Sequence, residues 1–600
     1  MKKSAIFLSF LACAAIACFG FFLGKRGAVL GAADEAALAR LPAMKGGRLM
    51  PLSSAGADTL RFLCGKSSAK IGGKNASAAE WLLYINANKS KSETLPFFKT
   101  DNRELQNLLG AKGRYYSYKD LEAKFDEVWN AAAAEERAPF NDACREAMKK
   151  IAVFENASNA LAFCAEGKTP RGTYDEWQES LNAAKDELES AKRRNVEPDT
   201  SKISKAAKLL KDFSGQKAVE DGQSRSNILA IPASEGWQTP LDTILDANPG
   251  GTELKVFSAY ADIAEKISNN QAGEIGDGLA ALEKALEPSL KIGFENFANR
   301  LDIFYRGAIM YAAAALLLLG ASARRLRETL FAAATVFIIC GFAAQTLGIS
   351  ARMYVLMRPP VTNLHSSVIF TGWAAVAISL FLMFKRGKKL YALAAAPIGF
   401  LSLVLAVNLP HSGDATGEMA AVLNSNFWLT AHIVPMMLGY CGIFLAGFAA
   451  AARLLYNALK LGNVSEESNA EFAKTVYAIL CFALVFSFAG TMLGGVWANL
   501  SWGRFWGWDP KENGALMVVL WTAFALHLRA VKYIGARGLM ALACLASVVA
   551  AWAWFGVNML GDGLHSYGFT SGGWNYLAGF AIFQTAAAAL AIVPSRKKTE

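Results

Sequence analysis

The sequence predicts an all-α fold: a polytopic transmembrane helix bundle of about nine C-terminal spans plus one N-terminal anchor, carrying an exported, mostly helical N-terminal domain. Three observations point there. Hydrophobic residues make up 53% of the 600-residue chain and mean hydropathy is +0.25, high for a water-soluble protein. Beyond about residue 302 the apolar residues gather into runs of the roughly 18 to 20 residues that a bilayer crossing needs. Basic residues fill alternate short loops between those runs, the pattern that sets membrane orientation. The formal net charge of +11 therefore belongs to topology and does not argue for a nucleic-acid partner.

Met1-Lys-Lys precedes an apolar run from Ala5 to Gly24. Its length favours an uncleaved anchor at residues 1–24 over a signal peptide processed near Gly31 to Ala33. Either one exports the adjoining domain. Residues 25–302 mix charged and apolar positions and read as an extracytoplasmic soluble domain. Tyr174, Trp177, Leu181, Ala184, Leu188 and Ala191 recur at steps of three and four, a helix stripe. Thr173 and Glu176 fit a capping box at its start. Ser117 followed by Asp120 marks another helix start, with Leu121, Phe125 and Val128 on one face. Both stripes read as core packing. Gly222 to Gly250, rich in Gly, Ser, Asn and Pro, reads as loop.

Nine apolar segments come next, near 304–321, 329–348, 366–384, 390–408, 429–452, 475–494, 514–528, 538–557 and 574–593. They make a transmembrane domain over 303–594, with a cytoplasmic tail at 595–600. One set of loops carries Arg324, Arg325 and Arg327, the run Lys385 to Lys389, Arg453 with Lys460, and Arg529 with Lys532 and Arg537. The opposite loops are poorer in Lys and Arg. The positive-inside rule then puts the soluble domain, residues 494–512 and the loop before the last segment outside the cytoplasm. Nine cysteines occur without a C-x-x-C pair, which argues against a thioredoxin-like site and against covalent haem attachment to this chain. Cys64, Cys144 and Cys164 lie in the exported domain, where one disulfide and one free thiol would suit the count.

The most informative stretch runs from Trp497 to Glu512. Trp497, Trp502, Trp506 and Trp508 crowd together with Phe505 and end in Asp509-Pro-Lys-Glu512. Interface belts ordinarily use about one or two Trp per helix end. This density reads as a flat aromatic platform beside a polar rim, suited to a large planar ligand such as a porphyrin. The five histidines, His365, His411, His432, His527 and His565, all lie in the C-terminal half. His432 falls about three residues into the fifth segment, roughly 5 Å below the outer surface. His565 lies in the outer loop from Gly561 to Gly568. Two imidazoles on the outer face can ligate haem iron. His527 falls about 13 residues into the seventh segment, roughly 20 Å from the outer side. An ionisable group at that depth reads as a haem contact; the alternative is a side chain that snorkels inward beside Arg529. His365 and His411 read as structural.

The stretch from Gly494 to Glu512 resembles the tryptophan-rich WWD signature of the haem-handling family that includes CcsA (ResC), CcmC and CcmF, and its Asp-Pro-Lys-Glu ending points to the CcsA branch. Further similarity lies in Phe427 to His432 with Gly439-Tyr440, in Leu526 to Arg529, in Gly563 to Tyr567, and in Pro359 to Leu364 with Ser367 to Phe370 and Gly372-Trp373. The resemblance covers roughly residues 303–594. It implies that His432 and His565 ligate haem b over a site of Trp497, Trp502, Trp506, Trp508 and Asp509, with Arg504 or Lys511 neutralising a propionate. It also implies that His527 holds haem within the membrane, paired with a histidine of a CcsB (ResB)-like subunit. No histidine precedes His365, so residues 1–302 cannot supply that ligand and a separate CcsB-like partner is expected. Gly46 to Leu52 followed by Leu63 to Lys66 is similar to an exported domain found ahead of some CcsA-like bundles.

The function this resemblance implies is haem delivery across the bacterial cytoplasmic membrane and covalent attachment to C-x-x-C-H motifs of apocytochrome c, within a holocytochrome c synthase. The substrate brings the thiols and positioning supplies the rate, so no catalytic nucleophile is assigned to this chain. The alternatives are a haem exporter or chaperone that hands haem on without ligating it and, with less support, an unrelated multispan transporter.

Overall fold

The computed structural model describes residues 30–592 apart from 46, 112, 137, 161–169, 210–227, 234–235, 246–250, 270, 288, 322–326, 387–389, 409–424, 460–464 and 561–572. The anchor expected at 1–24, the tail at 595–600, Cys164, His411 and His565 lie outside the described residues. The chain divides into two compact units, with the boundary in sequence between Arg300 and Leu301.

In the N-terminal unit, α1 (Ala32–Arg40) leads to a hairpin of β1 (Pro42–Lys45) and β2 (Arg48–Pro51), in which Pro42 faces Pro51 and Lys45 faces Arg48. α2 (Leu52–Cys64) stops at Gly65, whose φ of 72° supplies the left-handed cap. A second hairpin, β3 (Ser68–Ile71) with β4 (Lys74–Ser77), feeds α3 (Ala78–Ala87), which opens with a Ser77–Glu80 capping box. Gly56 permits the close approach of α2 to α3, since a Cβ there would sit 2.3 Å from the Ala78 carbonyl oxygen. Trp81, Phe98, Tyr116, Phe154, Phe257 and Tyr260 fill the core.

The capping box of Ser117 and Asp120 forms, but its helix, Tyr118–Glu122, is short and α4 (Phe125–Ala133) starts anew. Leu121 and Val128 are buried as expected, whereas Phe125 is exposed and stacks on Trp129 at 5.9 Å. α5 (Pro139–Ser158) brings Arg145 to the end of α4, where the guanidinium donates to the carbonyls of Ala132, Ala134 and Glu136. α6 (Pro170–Arg194) begins three residues ahead of the expected Thr173, since proline suits a first helical turn. Trp177, Ala184 and Ala191 are buried along it, while Leu188 is exposed. The stretch expected to be loop contains an antiparallel pair, Ile231–Ala233 with Gly236–Gln238, and the helix Pro240–Leu245. α7 (Gly251–Ser268), α8 (Gly276–Leu286) and α9 (Leu290–Leu301) complete the unit.

The second unit contains α10 (Ile303–Gly320), α11 (Arg327–Leu356), α12 (Leu364–Arg386), α13 (Leu390–Asn408), α14 (Val434–Ala458), α15 (Glu466–Trp502), α16 (Pro510–Ala530), α17 (Ala536–Ala551) and α18 (Gly573–Ala589). Each expected apolar segment is thus helical. Among the described residues, eight helices are long and apolar enough to cross a membrane, and α13 carries a shorter apolar stretch, Ala394–Val407. The protein is a multipass membrane protein built as a helical bundle. Tyr311 and Gln345, fully buried at the heart of the bundle, are paired, as a hydrocarbon surround favours. The Tyr311 hydroxyl donates to Gln345 Oε1 at 2.9 Å and Gln345 Nε2 donates to the Ile369 carbonyl at 2.9 Å, linking α10, α11 and α12. Small residues bring α14 and α15 together: a Cβ at Gly439 would lie 2.8 Å from the Ser487 nitrogen.

Among the described residues, two π turns interrupt the bundle, Leu429–Ile433 before α14 and Trp552–Gly556 after α17. Pro435 explains the first, because it lacks an N–H and its ring crowds the carbonyl four residues back. In the second, the Trp552 ring folds over Gly556, where a Cβ would lie 2.6 Å from Cε3.

Candidate functional site

Both π turns open onto one cavity, which with its mouth encloses about 1300 Å³. Its walls come from Val361 to Leu364 and Ser367 on one side, from α14 and α15, from the loop after α15, and from Trp554 and Asn558. A lining of aromatic rings and methionine sulfur suits a large, flat, apolar guest.

His432 lies in the first π turn and lines this cavity. Its Nδ1 is 2.8 Å from the Gly490 carbonyl oxygen. A carbonyl only accepts, so Nδ1 carries the proton and Nε2 the lone pair that a metal would use. The ring meets Trp497 edge-on, with centroids 6.1 Å apart. Gly494 makes room for it, since a Cβ there would lie 2.6 Å from His432 Cε1. Met436 and Tyr440 come after it on the same helix face at steps of four and also line the cavity, about 6 and 12 Å further along the axis. Tyr440 packs against Trp554 at 5.9 Å.

The loop after α15 is held between two left-handed residues, Gly503 (φ 70°) and Trp508 (φ 58°). A bulky side chain in that region is strained, and such strain gathers at functional sites. Between them Phe505 and Trp506 turn into the cavity. Arg504 lies directly over Gly507, where a Cβ would overlap the guanidinium. The Asp-Pro-Lys-Glu ending is a capping box: Asp509 accepts from the Lys511 N–H at 2.8 Å, while Glu512 accepts from the N–H groups of Gly507 and Asp509 at 2.7 and 3.1 Å. Lys511 Nζ donates to the Trp554 carbonyl at 2.7 Å, tying α16 to the second π turn.

The cavity therefore gathers His432, Trp497, Trp502, Trp506 and Lys511 from the residues expected on sequence. It does not gather Trp508, which is 71% exposed, nor Arg504, nor Asp509, a buried helix cap. His365, on the first turn of α12, is not among its lining residues. His527 is exposed on α16, its Nδ1 donating to the Ala523 carbonyl at 2.8 Å. It shares a stripe with exposed Met517, Leu520 and Phe524, opposite the face of Lys511 and Ala515 that lines the cavity. Phe505, expected in the aromatic platform, lines the cavity as well, whereas sequence reasoning missed Met436, Tyr440, Trp554 and Asn558 as lining residues. The spacing of four from His432 could have found the first two.

A family model described as Cytochrome C assembly protein matches residues 361–565. The CcsA cytochrome c biogenesis protein of Trieres chinensis is 32% identical over 264 residues, covering 37% of this chain and 82% of that protein. The chain belongs to the CcsA-type cytochrome c assembly family. The CcsA protein of Guillardia theta is 30% identical over 266 residues, covering 40% of this chain and 84% of that protein. Protein NrfI of Wolinella succinogenes is 33% identical over 233 residues, and there the alignment spans 38% of this chain and only 25% of NrfI. The family match runs from the first cavity residue, Val361, past the last, Asn558, so the whole cavity lies inside the CcsA-like region.

Proposed function

We propose that this CcsA-type protein receives haem b and presents it to apocytochrome c for covalent attachment, in the cytoplasmic membrane of a bacterium with the cavity toward the extracytoplasmic side. The observation that carries this reading is His432, whose Nδ1–H is fixed on the Gly490 carbonyl beside Trp497 in a large aromatic cavity. That hydrogen bond sets tautomer and ring orientation, as protein partners of metal-bound imidazoles do. Among the described residues no group of three or more His, Cys, Asp or Glu could hold a bare metal ion. His432 and His565 would hold the iron of a haem, whose porphyrin brings its own nitrogen ligands.

Trp497, Trp502 and Trp506 would face the macrocycle, and Lys511 retains donors beyond its bond to Trp554 for a propionate. The two thiols of a C-x-x-C-H segment would add across the two vinyl groups, each S–H bond and C=C bond being replaced by one C–S and one C–H bond, with no net oxidation. His527, exposed on the outer face of α16, suits a membrane haem ligand completed by a CcsB-like subunit. The test is the visible spectrum of the purified protein beside His432→Ala, His565→Ala and the double variant. A bis-imidazole reduced spectrum that weakens in each variant is expected. A wild type without haem, even when produced with a CcsB-like partner and surplus haem, would overturn the reading.

A further inference from the structure

α9 reverses the arrangement of an ordinary surface helix, which turns charge outward and apolar residues inward. Its polar side points into the N-terminal unit. Glu295 accepts two bonds from Arg48 at 2.6 and 2.9 Å. Asn296 and Asn299 bond to Ser53 and Ser54, each at 2.9 Å. Its apolar side points out: Leu290, Phe294 and Phe297 are 93%, 38% and 58% exposed. Steps of four and three place them on one narrow stripe that ends at Leu301. Lys291 flanks the stripe on one side, where interfacial helices carry cations for lipid phosphates, while Arg300 on the other side pairs with Glu35 at 2.6 Å and helps fasten the helix to the N-terminal unit.

The chain that continues this stripe shows what covers it. One residue separates α9 from α10, and α10 belongs to a stretch apolar enough to cross a membrane. That residue, Asp302, has φ 46° and ψ 52°, a left-handed conformation that breaks the helix between the two. The chain itself therefore holds Leu301, the end of the stripe, within two residues of α10. We propose that α9 is an interfacial helix whose Leu290, Phe294 and Phe297 insert at the boundary between phospholipid headgroups and acyl chains, while Glu295, Asn296 and Asn299 fasten it to the N-terminal unit. The bilayer then serves as a docking surface for that unit, independently of what the cavity binds.

A photoreactive phenylalanine analogue placed at Phe297 in the full-length protein tests this with little change in side-chain shape. The same analogue at Phe125, which is 41% exposed on α4, is the control for exposure alone. Irradiation is done in liposomes of phosphatidylethanolamine and phosphatidylglycerol and in cell membranes, with adducts identified by mass spectrometry. Acyl-chain adducts at Phe297 at least fivefold above those at Phe125, in both settings, are expected. Polypeptide adducts in place of lipid at Phe297 would overturn the proposal in favour of a protein partner. A lipid yield no higher than that of Phe125 would overturn it as well.

Discussion

Gly494→Ala is the sharpest test of how His432 is held. The added methyl would lie 2.6 Å from Cε1 and 2.7 Å from Nδ1 of the imidazole, where ordinary contact begins at 3.4 Å. The ring must retreat by about 1 Å, which stretches the 2.8 Å bond to Gly490 beyond hydrogen-bonding range. Losing that bond costs about 0.5–1.5 kcal/mol. Holding the side chain off its rotamer costs about the same again. The sum, roughly 1–3 kcal/mol, corresponds to a roughly 5- to 150-fold loss of haem affinity. This brackets the roughly 10- to 100-fold cost of disturbing an outer-shell partner of a metal ligand. The assay is absorbance titration of haem-depleted protein, with Gly579→Ala as control because a Cβ there meets nothing. Thermal denaturation of both variants guards against a folding defect, and rescue of His432→Gly by free imidazole gives a second route to the same site. Gly494→Ala that binds haem within twofold of wild type, with an unchanged spectrum, would refute the reasoning.

Three further outcomes are expected. Pro435→Ala restores an N–H and removes the cause of the Leu429–Ile433 π turn; the shift of one residue in register turns His432 by about 100°, so haem binding should fall while the melting temperature holds or rises. An unaltered haem spectrum would show that the π turn does not aim the imidazole. Glu512→Ala deprives Gly507 and Asp509 of their acceptor and should cost about 0.5–2 kcal/mol in denaturant unfolding, with a shift in tryptophan emission from the loop, most of which Glu512→Gln should restore. Burial pushes the Cys144 thiol from an ordinary 9.0 up to about 11 and raises that of Cys64. The folded state holds these protons more tightly, so their contribution is complete below pH 9 and falls as pH rises, that of Cys144 being lost toward pH 11. Iodoacetamide at about pH 8 should therefore spare both thiols in the native protein and modify them after denaturation, as mass spectrometry of the peptides would show.

The membrane half of the fold was legible because hydrocarbon imposes one local rule: each span must be a long apolar helix. The expected segments and the observed helices differ mainly at their ends, as in α15, which runs from Glu466 to Trp502 where 475–494 was expected. The strand pairs of the N-terminal unit were not legible. They are only two to four residues long, too short for alternation to register. In the site, residue type was readable but direction was not. Trp506 and Trp508 look equivalent on sequence, yet a loop with two left-handed residues sends one into the cavity and the other outward. Asp509 looked like a polar rim group and is a helix cap. Trp554 passed as one more apolar residue of a span, since nothing local announces the π turn that aims it.

The two-sidedness of α16 bears on how the molecule could work in time. Lys511 and His527 are about 24 Å apart along the axis and on opposite faces. A guest at one cannot slide to the other along a single wall. If His527 holds haem as proposed, the guest would have to step off the helix and come round it, and transit would be a relay between two berths. Filling one berth leaves the other accessible, and a single chain could hold two guests in a queue. The pace of the relay would then be set less by the bundle than by whatever lies against the exposed side of α16.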